Sequence, residues 1–148
     1  MKIKEVQRRD ISKIIHLERK VFNHDAFSKE IMKKLIKNHL IFLKLEKGRR
    51  KKHLVGFVIV IKDRKDRANL INFVISPKYQ NCGFGTILLR QTIFRVKEFS
   101  EISKIVLNVN TKNEPAINLY KQFNFQIIQK IDQYYHSQES AYLMELAI

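Results

Sequence analysis

Residues 80–85 read Gln-Asn-Cys-Gly-Phe-Gly and hold two of the four glycines in the chain. Gly83 and Gly85 stand directly before an apolar helical pattern. Backbone N–H groups at a helix start are unpaired and point outward, and the helix dipole makes that end positive. Glycine removes the Cβ that would keep an anion away from the peptide planes. The stretch therefore has the chemistry of a phosphate seat. A P-loop would need Lys-Ser/Thr after its last glycine, where Thr86-Ile87 stand instead. A dinucleotide fingerprint would need a third glycine at Leu88 and a place near the start of a doubly wound fold. Neither applies. A tight strand-to-helix turn without any ligand also accounts for the two glycines.

Other chemistries are limited by what the chain contains. Cys82 is the single cysteine, which excludes an internal disulfide and a cysteine-based zinc site. His16, His24, His39, His53 and His136 form no His-x-x-x-His pair, so no metal is expected. The balance of 29 basic and 14 acidic residues gives a net charge of +15. Such an excess favours polyanions in general. The basic clusters at 47–53 and 62–67 carry no aromatic residue, so they read as a solvated surface ahead of a sequence-reading nucleic-acid site.

The elements that must position the glycine loop can be read from periodicity. The expectation is one domain over 1–148, with no linker, repeat, membrane span or secretion-signal core, hence a cytoplasmic protein. Residues 3–6 read as a strand. Asp10 is placed to cap a helix carrying Ile11, Ile14, Ile15, Leu17, Val21 and Phe22, and Ser28 opens a second helix to about Ile36. Strands at 40–46 and 53–62 are joined by a basic hairpin loop, and a third at 68–76 is closed by Pro77. A helix follows the glycines, then a strand at 104–110, a helix at 114–123 with Pro115 in its first turn, and strands at 125–131 and 140–146. The layout is mixed α/β: a meander, a βαβ unit, then a helix and two last strands.

Gln80-x-x-Gly83-x-Gly85 satisfies the Gln/Arg-x-x-Gly-x-Gly/Ala pattern, and here the chain resembles the GNAT superfamily of acyl-CoA-dependent N-acyltransferases. A second block, residues 107–125, is similar to that family's strand–loop–helix segment at Leu107, Val109, Asn113, Ala116, Leu119, Tyr120 and Phe125. Asn124 stands where glycine is usual, and asparagine tolerates the left-handed backbone of a helix C-cap. The ends resemble protein N-terminal acetyltransferases, including the ribosomal-protein alanine type. Residues 17–35 are similar to a Glu-x-x-x-Phe…Pro-Trp-Ser segment, with Phe27-Ser28 for Trp-Ser; residues 133–146 are similar to a Tyr-Tyr…Asp-Ala-x-x-Met ending, with Ser140 for the Asp.

The resemblance implies a GNAT fold, a central twisted mixed β-sheet flanked by about four helices. It implies acetyl-CoA as acyl donor, no metal, and direct transfer to a primary amine, foremost a protein or peptide N-terminus. Contact with the carrier is expected from Gln80, Asn81, Cys82, Gly83, Phe84, Gly85, Thr86, Asn113 and Ala116. A backbone N–H of Val74 or Ile75 is expected to face the thioester oxygen, where the family's central strand splays. Tyr120 is expected to protonate the departing thiolate, although packing beside Leu119 and Phe123 also explains it. Phe22, Phe27, Tyr134 and Tyr135 are candidates for the peptide end; Met32 belongs to the same apolar helix faces, which core packing explains as well.

One residue departs from the family. Related N-terminal acetyltransferases carry Glu or His at the position of Asn108, and Asn69 and Asn72 lie where other members often have Glu. Asparagine cannot accept a proton at neutral pH. An α-amine, with pKa roughly 8, is already neutral on the order of a tenth of the time at pH 7, against about 0.04% for a lysine side chain. The reading is that Asn108 orients a water carrying the proton toward Glu18, His136 or Glu139. A member acting on a small amine or internal lysine, and a non-catalytic acetyl-CoA-binding module, stay open beside it. The basic surface points to acceptors near ribosomes or RNA, and the sequence leaves the oligomeric state unset.

Overall fold

The computed structural model describes residues 1–148. Seven strands form one sheet: β1 (Lys2–Glu5), β2 (Ile41–Lys47), β3 (His53–Arg64), β4 (Arg67–Ile75), β5 (Lys104–Asn110), β6 (Gln126–Ile131) and β7 (Ala141–Ala147), in spatial order β1-β2-β3-β4-β5-β7-β6. All neighbours are antiparallel except β4 and β5. The four helices are α1 (Ile11–Phe22), α2 (Lys29–Lys37), α3 (Phe84–Val96) and α4 (Glu114–Gln122). α3 is the crossover between the parallel strands, as such a connection requires. No helix is long and apolar enough to cross a membrane.

The helices divide between the two faces. Ile14, Ile15 and Leu17 of α1 and Met32 of α2 pack with Phe42, Phe57, Ile59 and Val74. Leu88, Leu89, Ile93 and Val96 of α3, with Ile117 and Tyr120 of α4, pack on the other face against Leu43, Val58, Leu107 and Val109. Met32 is fully enclosed in the first layer, so of the three apolar residues proposed for a peptide pocket it belongs to the core.

Local chemistry sets several boundaries. Ser28 Oγ accepts from Ile31 N–H at 3.2 Å and starts α2 as its sequence position suggests. Asp10 does not cap α1: its carboxylate accepts from Gln7 N–H and from Lys44 Nζ, each at 2.8 Å. One carboxylate oxygen is taken by a nearly buried ammonium and the other by the backbone of the preceding turn, so neither is left for the first amides of α1. Asn124 has φ of 71°, and Phe125 N–H returns to Tyr120 O at 3.1 Å, so asparagine performs the left-handed turn after α4.

One irregularity shapes everything downstream. Along β3–β4 the partners run Ile59↔Asn72 and then Val60↔Leu70, which leaves Ile71 as an extra residue on β4. A bulge of this kind bends its strand and reverses which face each later side chain meets. Ala68 and Leu70 join the α3/α4 layer, whereas Asn72 and Val74 turn to the α1/α2 side. Pairing of β4 with β5 ends at Leu70↔Leu107, just where the bulge begins. Beyond it the two strands part.

Candidate active site

The gap between β4 and β5 opens into a cleft of about 940 Å³. It gathers residues that are far apart in sequence: Phe22 and Phe27 from the α1–α2 region, Phe73 of β4, Asn108 of β5, Asn113, Ala116 and Tyr120 at α4, and Tyr134, Tyr135 and His136 of the β6–β7 loop. The α1–α2 and β6–β7 loops are tied across its mouth, because His136 N–H donates to Asp25 Oδ1 at 2.9 Å.

The gap leaves main-chain groups without a neighbouring strand. Ser76 N–H donates to Val55 O at 2.7 Å, and antiparallel bonds alternate along a strand. The N–H of Val74 is therefore turned to β3, opposite Phe57, while those of Phe73 and Ile75 face the parted side. Of the two residues expected to offer an N–H there, Ile75 does so and Val74 does not; the Val74 side chain is buried in the α1/α2 layer. On the same edge Ile75 O accepts from Gln80 Nε2 at 3.0 Å. Gln80 thus anchors the glycine loop to the end of β4, and its side chain is not free to hold an anion. Cys82 is exposed, and its thiol donates to Gln80 O at 3.4 Å.

The loop that follows is a bed of free amides. Asn81 and Gly83 have φ of 62° and 82°, and α3 starts at Gly83 with no side-chain cap. No backbone N–H from Asn81 through Thr86 has an acceptor within the chain; the first turn closes with Ile87 N–H on Gly83 O. Alternating left- and right-handed residues with free N–H groups make an anion-binding concavity. A Cβ at Gly83 would meet nothing within 4 Å, so the space before it is open. At Gly85 the requirement is different: a Cβ would lie 3.2 Å from Leu119 Cδ2 and 3.7 Å from Ile75 Cγ1. That glycine lets α3 start close against α4 and the end of β4. These amides fit a diphosphate. They do not line the cleft themselves; Gly85 packs against Ile75 and Leu119, close in sequence to Phe73, Ala116 and Tyr120, which do.

A model of the Acetyltransferase (GNAT) family matches residues 8–125. The chain belongs to this family. Among its relatives, the N-alpha-acetyltransferase of Sulfurisphaera tokodaii is 33% identical over 78 residues, 53% of this chain and 47% of the relative. The [Ribosomal protein bS18]-alanine N-acetyltransferase of Haemophilus influenzae is 35% identical over 82 residues, 55% of this chain and 54% of the relative. The chain thus spans about half the length of the curated relatives it matches. The fold is that of Arabidopsis thaliana NAA60, whose crystal structure in complex with acetyl-CoA superposes with a TM-score of 0.87 at 16% identity, over 99% of both chains.

Within this GNAT site, Tyr120 is almost enclosed, its ring packed edgewise on Phe73 at 6.1 Å and Phe125 at 5.7 Å. Its hydroxyl has no partner in the chain and faces the cleft. Burial first, and then the nearby Tyr135 hydroxyl, pushes its pKa well above the phenolic range, so it keeps its proton. Burial, with Tyr134, Asp25 and Glu139 nearby, pushes Tyr135 up to about 12. Tyr134 stacks edgewise on Tyr135 at 4.9 Å, and its Oη accepts from Asn108 Nδ2 at 3.3 Å. Asn113 caps α4, its Oδ1 accepting from Ala116 N–H at 3.3 Å.

The three candidates for a proton acceptor separate cleanly. His136 lines the cleft. Glu139 lies outside it, held by Lys112 at 3.3 Å and Ser137 at 3.2 Å, contacts that keep its carboxyl below the usual range. Glu18 is buried behind the cleft wall, where it accepts from Phe27 N–H and from Asn72 Nδ2 at 2.7 Å. Burial raises its pKa, and those bonds offset part of the rise. The Glu18–Asn72 contact joins residues 54 positions apart and was missed by motif reading. Its one sequence signal is Asn72 itself, a polar residue interrupting the apolar run 70–75.

Proposed function

We propose that this chain transfers the acetyl group of acetyl-CoA to the N-terminal α-amine of a protein or peptide. What supports this most is the continuity between anion seat and cleft. The free amides of Asn81–Thr86 lie against Ile75 at the end of β4, whose own N–H faces the side where β4 and β5 part, and the cleft lies in that gap beside Phe73. The named activities of the two relatives and the acetyl-CoA complex of NAA60 point the same way. Acetyl-CoA would supply an activated thioester; the residues of this chain supply the rest.

The amides of 81–86 hold the diphosphate, and Asn113 and Ala116 border the arm that runs into the cleft. Ile75 N–H faces the position where the thioester oxygen gathers negative charge. The amine nitrogen forms the new C–N bond as the C–S bond breaks, and Tyr120 gives the departing sulfur its proton. The amine's surplus proton leaves through water beside Asn108 toward His136, the one candidate acceptor that borders the cleft. Tyr134, Tyr135, Phe22 and Phe27 surround the first residue of the acceptor.

Asn108 favours an α-amine over a lysine. With no carboxylate in the base position, the acceptor must already be neutral part of the time; an α-amine meets that condition at about a tenth, a lysine at about 0.04%. The net charge of +15 suits acceptors that emerge close to RNA, such as ribosomal proteins. The test is a mass spectrum of a mixed peptide library incubated with acetyl-CoA. Acetyl groups on α-amines alone are expected. Acetyl groups on internal lysines refute the N-terminal reading, and carrier binding without turnover on any amine reduces the protein to a binding module.

A further inference from the structure

Asn72 of β4 and Asn108 of β5 stand beyond the point where their strands part, and both border the same cleft. Each has its amide NH2 engaged by the protein: Asn72 donates to Glu18 Oε2 at 2.7 Å and Asn108 to Tyr134 Oη at 3.3 Å. A carboxylate only accepts, so Glu18 fixes which end of the Asn72 amide it meets. What is left is the pair of carbonyl oxygens. Asn72 Oδ1 and Asn108 Oδ1 are buried and have no partner, and no other buried side-chain nitrogen or oxygen in the chain is in that condition. Asn72 as a whole is only 5% exposed. A buried carbonyl without a donor is costly, and where two residues bordering one cleft each carry such an oxygen, a ligand in that cleft is the source open to supply the missing donors.

Two acceptors with no free donor beside them match a neutral primary amine, which brings two N–H bonds and retains one lone pair. We infer that Asn72 Oδ1 and Asn108 Oδ1 take the two N–H hydrogens of the acceptor amine and so aim its lone pair at the thioester carbon, with Glu18 as the residue that positions Asn72. The inference rests on the transfer reading above. It also gives a reason for asparagine in place of a carboxylate. A carboxylate touching the amine would favour the ammonium form, which has no lone pair, whereas amide oxygens orient the neutral form with less bias toward charge. Glu18 is kept off the amine because both of its oxygens accept from Phe27 N–H, at 3.0 and 3.1 Å, on the far side of the cleft wall.

The test is Asn72→Leu, which keeps the bulk and removes the oxygen. For a peptide with a free N-terminus kcat/KM should fall about tenfold, while the acetyl-CoA Kd by calorimetry stays at the wild-type value. Glu18→Gln should also lower kcat/KM, yet add no further loss in the Asn72→Leu background, since its effect travels through Asn72. If Asn72→Leu does not fold, Asn108→Leu removes the other oxygen and is read in the same way. An unchanged kcat/KM overturns the inference. So does an equal loss of acetyl-CoA affinity, which would assign the oxygens to the carrier's arm. Equal Glu18→Gln losses in both backgrounds would leave Glu18 a structural residue only. Absence of wild-type turnover on every peptide removes the transfer reading and this inference with it, whereas wild-type turnover that Asn72→Leu leaves intact removes only the inference.

Discussion

Replacing Tyr120 by phenylalanine separates catalysis from folding at one atom. The ring stays wedged between Phe73 and Phe125, so edge contacts at 6.1 and 5.7 Å are retained. The hydroxyl has no hydrogen-bond partner in the chain, so its removal strands no other group. Stability should therefore change by less than about 1 kcal/mol, well below the cost of breaking a satisfied buried bond. Turnover should respond quite differently. The loss of a positioned general acid costs typically about 100-fold or more in rate. Because burial keeps the Tyr120 pKa far above neutrality, the hydroxyl is a donor throughout the working pH range. Its loss should lower the whole pH–rate profile without changing its shape, whose acid limb belongs to an acceptor amine of pKa roughly 8. The assay is steady-state acetyl transfer to a peptide from pH 6.5 to 9, beside thermal melting and calorimetric acetyl-CoA binding. Turnover within about twofold of wild type, far short of a general acid's contribution, would refute the assignment. A drop matched by an equal loss of acetyl-CoA affinity would make Tyr120 a binding residue instead.

Other expectations concern the frame around the site. Lys44→Met should cost about 3 kcal/mol in urea unfolding, because it leaves Asp10 and Glu46 as nearly buried carboxylates without their shared ammonium. Asn124→Ala should cost about 1 kcal/mol, since alanine lacks asparagine's tolerance of φ near 71°, and Asn124→Gly should cost nothing measurable by the same melt. Glu18 should give a pH signature of opposite sign to an ordinary ion pair. Its folded pKa lies above the ordinary 4.5, so ionisation is penalised in the folded state above that raised value. Stability of the wild type relative to Glu18→Gln should rise as pH falls through the raised pKa, with the gain complete near 4.5; melting temperatures that diverge in the other direction would contradict it.

The parts of this site that sequence reveals are those fixed by local chemistry. Gly83 needs its left-handed backbone, Ser28 reaches an amide three residues on, and Asn124 replaces glycine in a turn it can make itself. Each is a bargain within one turn of chain. What stays hidden depends on register. A single extra residue at Ile71 decides that Ile75 and not Val74 has a free N–H, and that Asn72 meets the α1 side. Nothing in the alternation of residues 68–76 announces it. Asp10 illustrates a third case: its capping position is legible, but Lys44, 34 residues away, takes one carboxylate oxygen and Gln7 N–H the other. The same is true of Glu18, which composition alone would place on a solvated helix face and which a partner 54 residues distant draws inside.

The central claim is that the free amides of Asn81–Thr86 seat the diphosphate of the acyl carrier. Calorimetric titration with coenzyme A and with pantetheine, which lacks the diphosphate, tests it most directly. Loss of several charge-assisted N–H bonds should weaken pantetheine by about 100-fold or more relative to coenzyme A. Equal affinity for the two, or no uptake of coenzyme A by the folded protein, would contradict the account.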